Sequence, residues 1–463
     1  MSDTGRHRLI LAADRIPPAD TDDGYDHVEA ALAALRPFAA AQDGTWVAAE
    51  PGDPHEASDA AHAAALLRSL GHDQQCSFPD GWFDTYLAVN RQVATAVAGS
   101  AADSAMVWVH GHQLQLLPAI MRRLRPDLGS VMQLHTTFPP AESLLRVPEH
   151  RALLSGLLGA DVIVLPHRRA ADNLLDLAGR VHGLPVRDGQ IAVGSRRVRV
   201  MAYPLQADTA GIRRLAQSAP VRTRAQEIRA ALRVAGPVLL SVAGWDPGEA
   251  VEQRLVAFER FLAEHRPAPA TAALLHVACG EPQTPAEYEQ RERVDRLIAK
   301  INGTYANVGQ PVVHYLRAAP DRRELTALYL ACDGLLATPA HHGTVAHAHE
   351  FVAAHAGAPV VVSELTCDGA DLPGAVVVNP HDTAAFATAI ARVAGVSQPV
   401  PGAQAAAAAP GPEAWARRLL AVATARAAAH AHPRPRRQAA APGRTRPAGH
   451  QAPHEPARKI DAQ

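Results

Sequence analysis

The chain has 463 residues, of which 48% are hydrophobic and 20% charged. That length exceeds what one core usually fills, so two domains are expected. The 45 Lys and Arg balance 46 Asp and Glu, which argues against a bulk polyanion such as nucleic acid as the partner. The four cysteines, Cys76, Cys279, Cys332 and Cys367, lie too far apart for zinc-finger or redox spacing and fit a reducing, cytoplasmic setting. No apolar run is long enough for a membrane span or a signal peptide.

In chain order, residues 8–13 read as a first buried strand, followed by the loop Asp14-Arg15-Ile16 and a helical stretch at 25–35. Arg15 would stand just past a strand's C-terminal end, where open α/β sheets bind ligands. On position alone it reads first as a solvated loop arginine. Residues 39–80 are weakly patterned and read as loops and short helices. A helix follows near 82–95, then strands at 105–110, 131–135, 161–165 and 196–201, with helices at 113–124, 153–158 and 170–177 between them. This alternation predicts a parallel doubly wound sheet.

Residues 207–233 read as polar and helical. A second alternation then begins. Strands are expected at 238–242, 271–278, 312–316, 333–337, 359–363 and 375–378. Helices are expected at 251–264, 287–301, 322–331, near 351–354 and at 383–393. The expected division is an N-terminal domain over 1–233, a C-terminal domain over 234–395, and a Pro/Ala-rich linker over 396–411. A packed helix over 412–429 and a disordered basic tail over 430–463 follow. Neither half carries GxGxxG or a P-loop, so the ligand cleft is expected between two facing domains.

The stretch 338–350 holds four histidines, His341, His342, His347 and His349. It runs from a strand through a glycine turn at Gly343 into a helix N-terminus, a local geometry that favours a phosphate. A bound diphosphate would favour protonated histidines there. HExxH fails because Ala353 follows His349-Glu350 where the second His is needed. His347 and Glu350 share a helix face, but as a pair only. No metal and no cofactor are expected.

Four segments together carry a family resemblance. They are Val107-Trp108-Val109-His110 with 113–118, Leu134-His135 with Phe138-Pro139-Pro140 and Glu142, residues 321–329 leading into Thr338-Pro339, and Val378-Asn379-Pro380-His381-Asp382. In this order the chain resembles the trehalose-6-phosphate synthases, over about residues 8–395. That resemblance implies the α/β GT-B architecture, with two facing Rossmann-like doubly wound domains. It also implies transfer of glucose from a nucleotide sugar, with UDP or GDP as the nucleotide, to glucose 6-phosphate, with retention and without a metal. The helix at 412–429 would be the family's last, crossing back onto the N-terminal domain.

The resemblance places residue roles one by one. Arg15 matches an acceptor-side arginine, His135 the histidine that contacts the donor sugar, and Glu350 the acceptor of ribose hydrogen bonds. His342 stands at the family's aspartate, with His341 and Gly343 beside it on the donor side. The catalytic candidates are therefore His135 and His342, and the donor-binding candidates Gly343, Glu350 and His341. Four positions depart. Gly111 replaces an acid, Gly244 an arginine, Glu249 a lysine, and Pro282 stands where an acceptor-phosphate arginine is expected. The donor loop changes from two positive charges to one negative, whereas a leaving diphosphate needs cations. Three readings follow. One is a family member with weak or no activity, and one an active glycosyltransferase with a changed donor or acceptor. The third is a non-catalytic interaction or regulatory protein, with a homo-oligomer as one arrangement.

Overall fold

The computed structural model describes residues 6–16, 27–48, 67, 78–135, 138–205, 207–265, 272–282, 284–340, 346–366, 372–396 and 411–430. The first sheet holds β1 (His7–Ala13), β2 (Gly44–Ala48), β3 (Ala101–His110), β4 (Gly129–Gln133), β5 (Val162–Leu165), β6 (Val186–Arg187), β7 (Gln190–Val193) and β8 (Arg196–Ala202). Their spatial order is β2-β1-β3-β4-β5-β8-β7-β6. The strands from β2 to β8 run parallel, and β7 and β6 close the edge as an antiparallel hairpin. The central strands are covered on both faces. β4 and β5 are buried throughout, as parallel strands covered on both faces are.

The stretch expected as loops and short helices contains β2. Only Val47 of Gly44-Thr45-Trp46-Val47-Ala48 is buried, because β2 is an edge strand, and so its apolar signal is weak. The β6–β7 hairpin was likewise not expected. Its strands are two and four residues long, too short for a period-two pattern to show.

The second sheet holds β9 (Val238–Ala243), β10 (Ala273–Ala278), β11 (Val313–Arg317), β12 (Gly334–Ala337), β13 (Val360–Ser363) and β14 (Val376–Val378). Its order is β11-β10-β9-β12-β13-β14, all parallel. In both sheets the chain first builds to one side and then crosses to the other. The reversals fall between β1 and β3 and between β9 and β12. An open α/β sheet forms its ligand crevice at the C-terminal ends of the strands at such a point.

Two tertiary contacts tie distant parts of the chain together. The helix Pro412–His430 lays Trp415 against the first sheet. Trp415 is fully buried, with its ring centroid 5.4 Å from Trp108 and 5.5 Å from Tyr203. Asp208 caps the helix Thr209–Gln217 by accepting from the Gly211 amide. It also accepts from Arg322 Nη2 at 2.8 Å. Arg322 begins the helix Arg322–Ala331, which Asp321 caps through the Glu324 amide. Residues of a segment that carried the family resemblance thus hold the two halves of the chain together. Among the described residues no helix is long and apolar enough to cross a membrane.

Candidate active site

The first switch point is built by packing around one turn. β3 ends at His110, and Gly111 follows with φ 87° and ψ 169°. Side chains rarely adopt that backbone conformation. An acidic side chain there, as the family resemblance has it, would be strained, so glycine suits this backbone. The helix Trp82–Ser100 holds the turn from below. Tyr86 donates its hydroxyl to the His112 carbonyl and accepts from the Gln115 amide. Asn90 donates to the carbonyl of Gln113 at 2.8 Å and accepts from the Leu116 amide at 3.1 Å. Both side chains are buried, so each bond also satisfies a backbone group that water cannot reach.

Above this turn lies a group of rings. His110 is buried, and its Nδ1 lies 3.2 Å from Nε2 of the half-buried His135. Its ring centroid is 4.9 Å from that of Trp108 and 6.2 Å from that of Trp46. Trp108 donates its indole N–H to Gln133 Oε1 at 2.9 Å, which fixes the tryptophan and leaves the imidazoles to each other. Arg15 stands exposed in the loop after β1, where Asp14 accepts from its amide at 3.0 Å.

At the second switch point the buried charge is Arg254, which was not singled out from the sequence. It lies in the helix Val251–Glu264 and is 1% exposed. Its three donor positions reach three elements. Nη1 donates to Ser241 Oγ in β9 at 2.6 Å, Nη2 to the Glu249 carbonyl at 2.9 Å, and Nε to Thr338 Oγ1 beyond β12 at 3.2 Å. These acceptors are uncharged groups. Burial brings its pKa down to about 10, opposed by the charge of Glu249, so it stays a cation at neutral pH. Ser241 is also 2.9 Å from His276 Nδ1. Burial, followed by the repulsion of Arg254, holds His276 down to about 3. The signal for Arg254 was its spacing. It falls three residues after Val251 and one before Leu255, on the helix's apolar stripe.

The loop after β9 covers this arginine. Gly244 is half-buried, and a side-chain carbon added there would meet nothing closer than the Cys279 carbonyl at 4.0 Å. Trp245 donates to the Gly280 carbonyl at 2.7 Å, tying the loop to the end of β10, where Pro282 is buried. The turn Pro247–Glu249 is capped by Asp246 through the Gly248 amide. The Gly248 carbonyl then accepts from the Ala340 amide at 2.8 Å, joining the loops after β9 and β12. Glu249 is half-buried. Its carboxylate is close enough to act on Arg254, and with burial as the larger cause it pushes the Cys279 thiol up to about 12.

Glu350, expected to accept from a ribose, is 1% exposed in the helix Ala346–Ala354. Its Oε2 accepts from the Tyr329 hydroxyl at 2.9 Å, and that hydroxyl is 2.8 Å from His347 Nδ1. The i, i+3 pair expected between His347 and Glu350 is thus bridged by a tyrosine. His341, His342 and Gly343 lie outside the described residues, as do the tail 431–463 and most of the linker. Among the described residues no group of three or more His, Cys, Asp or Glu side chains is placed to hold a metal ion.

Two doubly wound parallel sheets, each with its switch point at the C-terminal strand ends, define the GT-B class of glycosyltransferases. The pattern of glycosyltransferase family 20 matches residues 55–399, and the chain belongs to that family. The trehalose-6-phosphate synthase of Mycolicibacterium paratuberculosis is 39% identical over 313 residues. The match covers 65% of this chain and 64% of that relative, so the chain spans a little under two thirds of the relative's length. Solved structures share the fold. The Escherichia coli protein bound with UDP-2-fluoro glucose aligns with a TM-score of 0.75 at 20% identity, covering 90% of this chain and 95% of that one. The synthase of Burkholderia xenovorans in complex with glucose-6-phosphate gives 0.76 at 20% identity, covering 91% and 98%.

Proposed function

We propose that this chain is a trehalose-6-phosphate synthase-like protein whose donor side holds a nucleoside diphosphate weakly or not at all, with little or no glucosyl transfer to glucose 6-phosphate. The observation that carries this reading is the loop after β9. Glu249 puts a half-buried carboxylate in that loop, and Gly244 offers no side chain. A carboxylate about 4 Å from a phosphate charge is unfavourable by about 4 kcal/mol at an effective dielectric near 20. Arg254 is a cation beneath the same loop, but it is buried and its donors are engaged within the protein.

A second reading keeps the fold's chemistry with a changed donor or acceptor. It is favoured by the first switch point, where the imidazoles of His110 and His135 meet beside two indoles. On that reading Arg15 and His135 contact sugar or sugar phosphate.

The test is calorimetric titration with UDP, GDP, UDP-glucose and GDP-glucose, with and without glucose 6-phosphate, beside an assay for glucosyl transfer. The expected result is no nucleotide binding at micromolar concentration and no transfer. Low-micromolar UDP or GDP binding overturns the first reading. Binding of a sugar or sugar phosphate without a nucleotide selects the second.

A further inference from the structure

Successive residues of β8 point to opposite faces. Val198 and Val200 are buried, and Arg197 and Arg199 are exposed on the other side. Met201 and Tyr203 continue that second side and pack against the helix Pro412–His430. The helix runs from the end of β8 back towards its start. Trp415 stacks on Tyr203 near one end. Near the other, a side-chain carbon added at Gly129, the first residue of β4, would come 2.8 Å from Ala427 Cβ.

Arginines line the seam between strand and helix. Arg426 Nη2 donates to Gln190 Oε1 at 2.6 Å and to the Arg197 carbonyl at 3.2 Å. Gln190 stands opposite Arg199 in the β7–β8 ladder. Arg418 is exposed on the same helix. Burial raises the Tyr203 hydroxyl pKa and the Arg418 charge opposes it, so Arg418 lies beside Tyr203. Among the described residues no carboxylate pairs with Arg199, Arg418 or Arg426. Asp188, in the hairpin turn, is 3.9 Å from Arg187, and Asp161 is held by Arg122 and Arg196. Elsewhere exposed arginines stand against carboxylates, as Arg224 does against Glu324 and Arg417 against Glu413.

We propose that this face docks a carboxylate-rich segment of a partner protein, held by Arg199, Arg418 and Arg426. All three are arginines, whose planar fork matches a carboxylate. The sequence joined to the helix adds charge of the same sign, since residues 431–463 carry seven Lys and Arg against two Asp and Glu. Single-stranded nucleic acid would call for exposed aromatic rings. Trp415 is fully buried, and residues 431–463 hold no Phe, Trp or Tyr. A membrane surface would call for an apolar anchor beside the charge. Val186 is the one exposed large apolar residue among the described residues of β6, β7, β8 and this helix. The docking face is independent of the donor-side reading given under Proposed function.

The experiment is fluorescence anisotropy of a labelled peptide of about ten consecutive glutamates with the full chain, at about 50 mM and about 150 mM salt. The expected result is binding that weakens as salt rises. Arg199→Glu with Arg418→Glu should weaken it about 10-fold and leave thermal unfolding unchanged, both side chains being exposed. Arg91→Glu with Arg222→Glu changes the net charge equally at exposed sites on other helices and should leave the affinity near native. Should the first pair unfold the protein, Arg199→Gln with Arg418→Gln gives the same comparison with a smaller effect. Absence of salt-dependent binding, or equal weakening by both pairs, overturns the proposal. So does an affinity that ignores Arg199 and Arg418, which would assign the peptide to residues 431–463. A single-stranded oligonucleotide of equal charge, or anionic lipid vesicles, bound more tightly than the peptide through the same two arginines would overturn the choice of a protein partner.

Discussion

The polar groups at the ends of the two sheets are of different kinds. At the first switch point they are rings in contact, His110 and His135 beside Trp46 and Trp108. At the second they are a buried guanidinium, Arg254, beneath a loop that carries the carboxylate of Glu249. The two imidazoles share one contact, and each has a second ring nitrogen outside it. At the second, the donors of the cation are engaged by acceptors within the protein, and the loop above it carries the half-buried Glu249. Each group is assembled on its own sheet, so the residues of one can change without those of the other.

The sharpest way to break that contrast is to give the second site its cations. The double substitution Gly244→Arg with Glu249→Lys should raise UDP affinity on the order of 1000-fold, about 4 kcal/mol, as read by calorimetry. Gly244 has room for the longer side chain. An unchanged affinity would mean that the loop charge does not govern the site.

Removing the buried cation comes next. Arg254→Leu leaves Ser241, Thr338 and the Glu249 carbonyl without their donor. The expected loss is about 3 kcal/mol of stability, some of the lost hydrogen bonding being offset by relief of the buried charge. Denaturant unfolding checks it, and a neutral result would show that the arginine does not hold the three loops together.

Acid should act on both sites through their buried histidines. In the folded protein His110 and His276 resist protonation, whereas the unfolded chain protonates near 6.5. Stability is therefore full above about pH 6.5 and falls as pH drops, by up to about 1.4 kcal/mol per pH unit for each histidine. For His276 the fall continues to its folded value of about 3. Unfolding curves at a series of pH values measure the slope, and His276→Asn should remove its share. A flat profile between pH 6.5 and 5 would contradict the neutral assignment of both rings.

The smallest effect is expected between the halves. Asp208→Asn keeps a cap oxygen for Gly211 but removes the charge facing Arg322. The expected loss is about 1 kcal/mol for this partly buried pair, read by thermal unfolding.

Much of the fold was legible because buried parallel strands are continuous apolar runs. Val238–Ala243 and Ala273–Ala278 are buried at every position and stand out in the sequence. The family segments were legible too, for a structural reason. Asp321 and Asp382 cap helices, Arg322 pairs with Asp208, and Asn379 donates to Glu364. Less was legible where burial is partial or the run short, as at β2 and the β6–β7 hairpin.

The sequence alone determined the alternation of strands and helices, the family pattern, and the identities of Gly111, Gly244 and Glu249. Those follow from local periodicity and residue type, which need no knowledge of distant contacts. Tertiary structure decided what the neighbours of those residues are. It set His135 against His110 from 25 positions away, put Tyr329 on Glu350, and buried Arg254 among acceptors from three separate elements. Protonation, charge and hydrogen-bond direction are properties of such encounters, because they depend on burial and on partners that come together only when the sheets form.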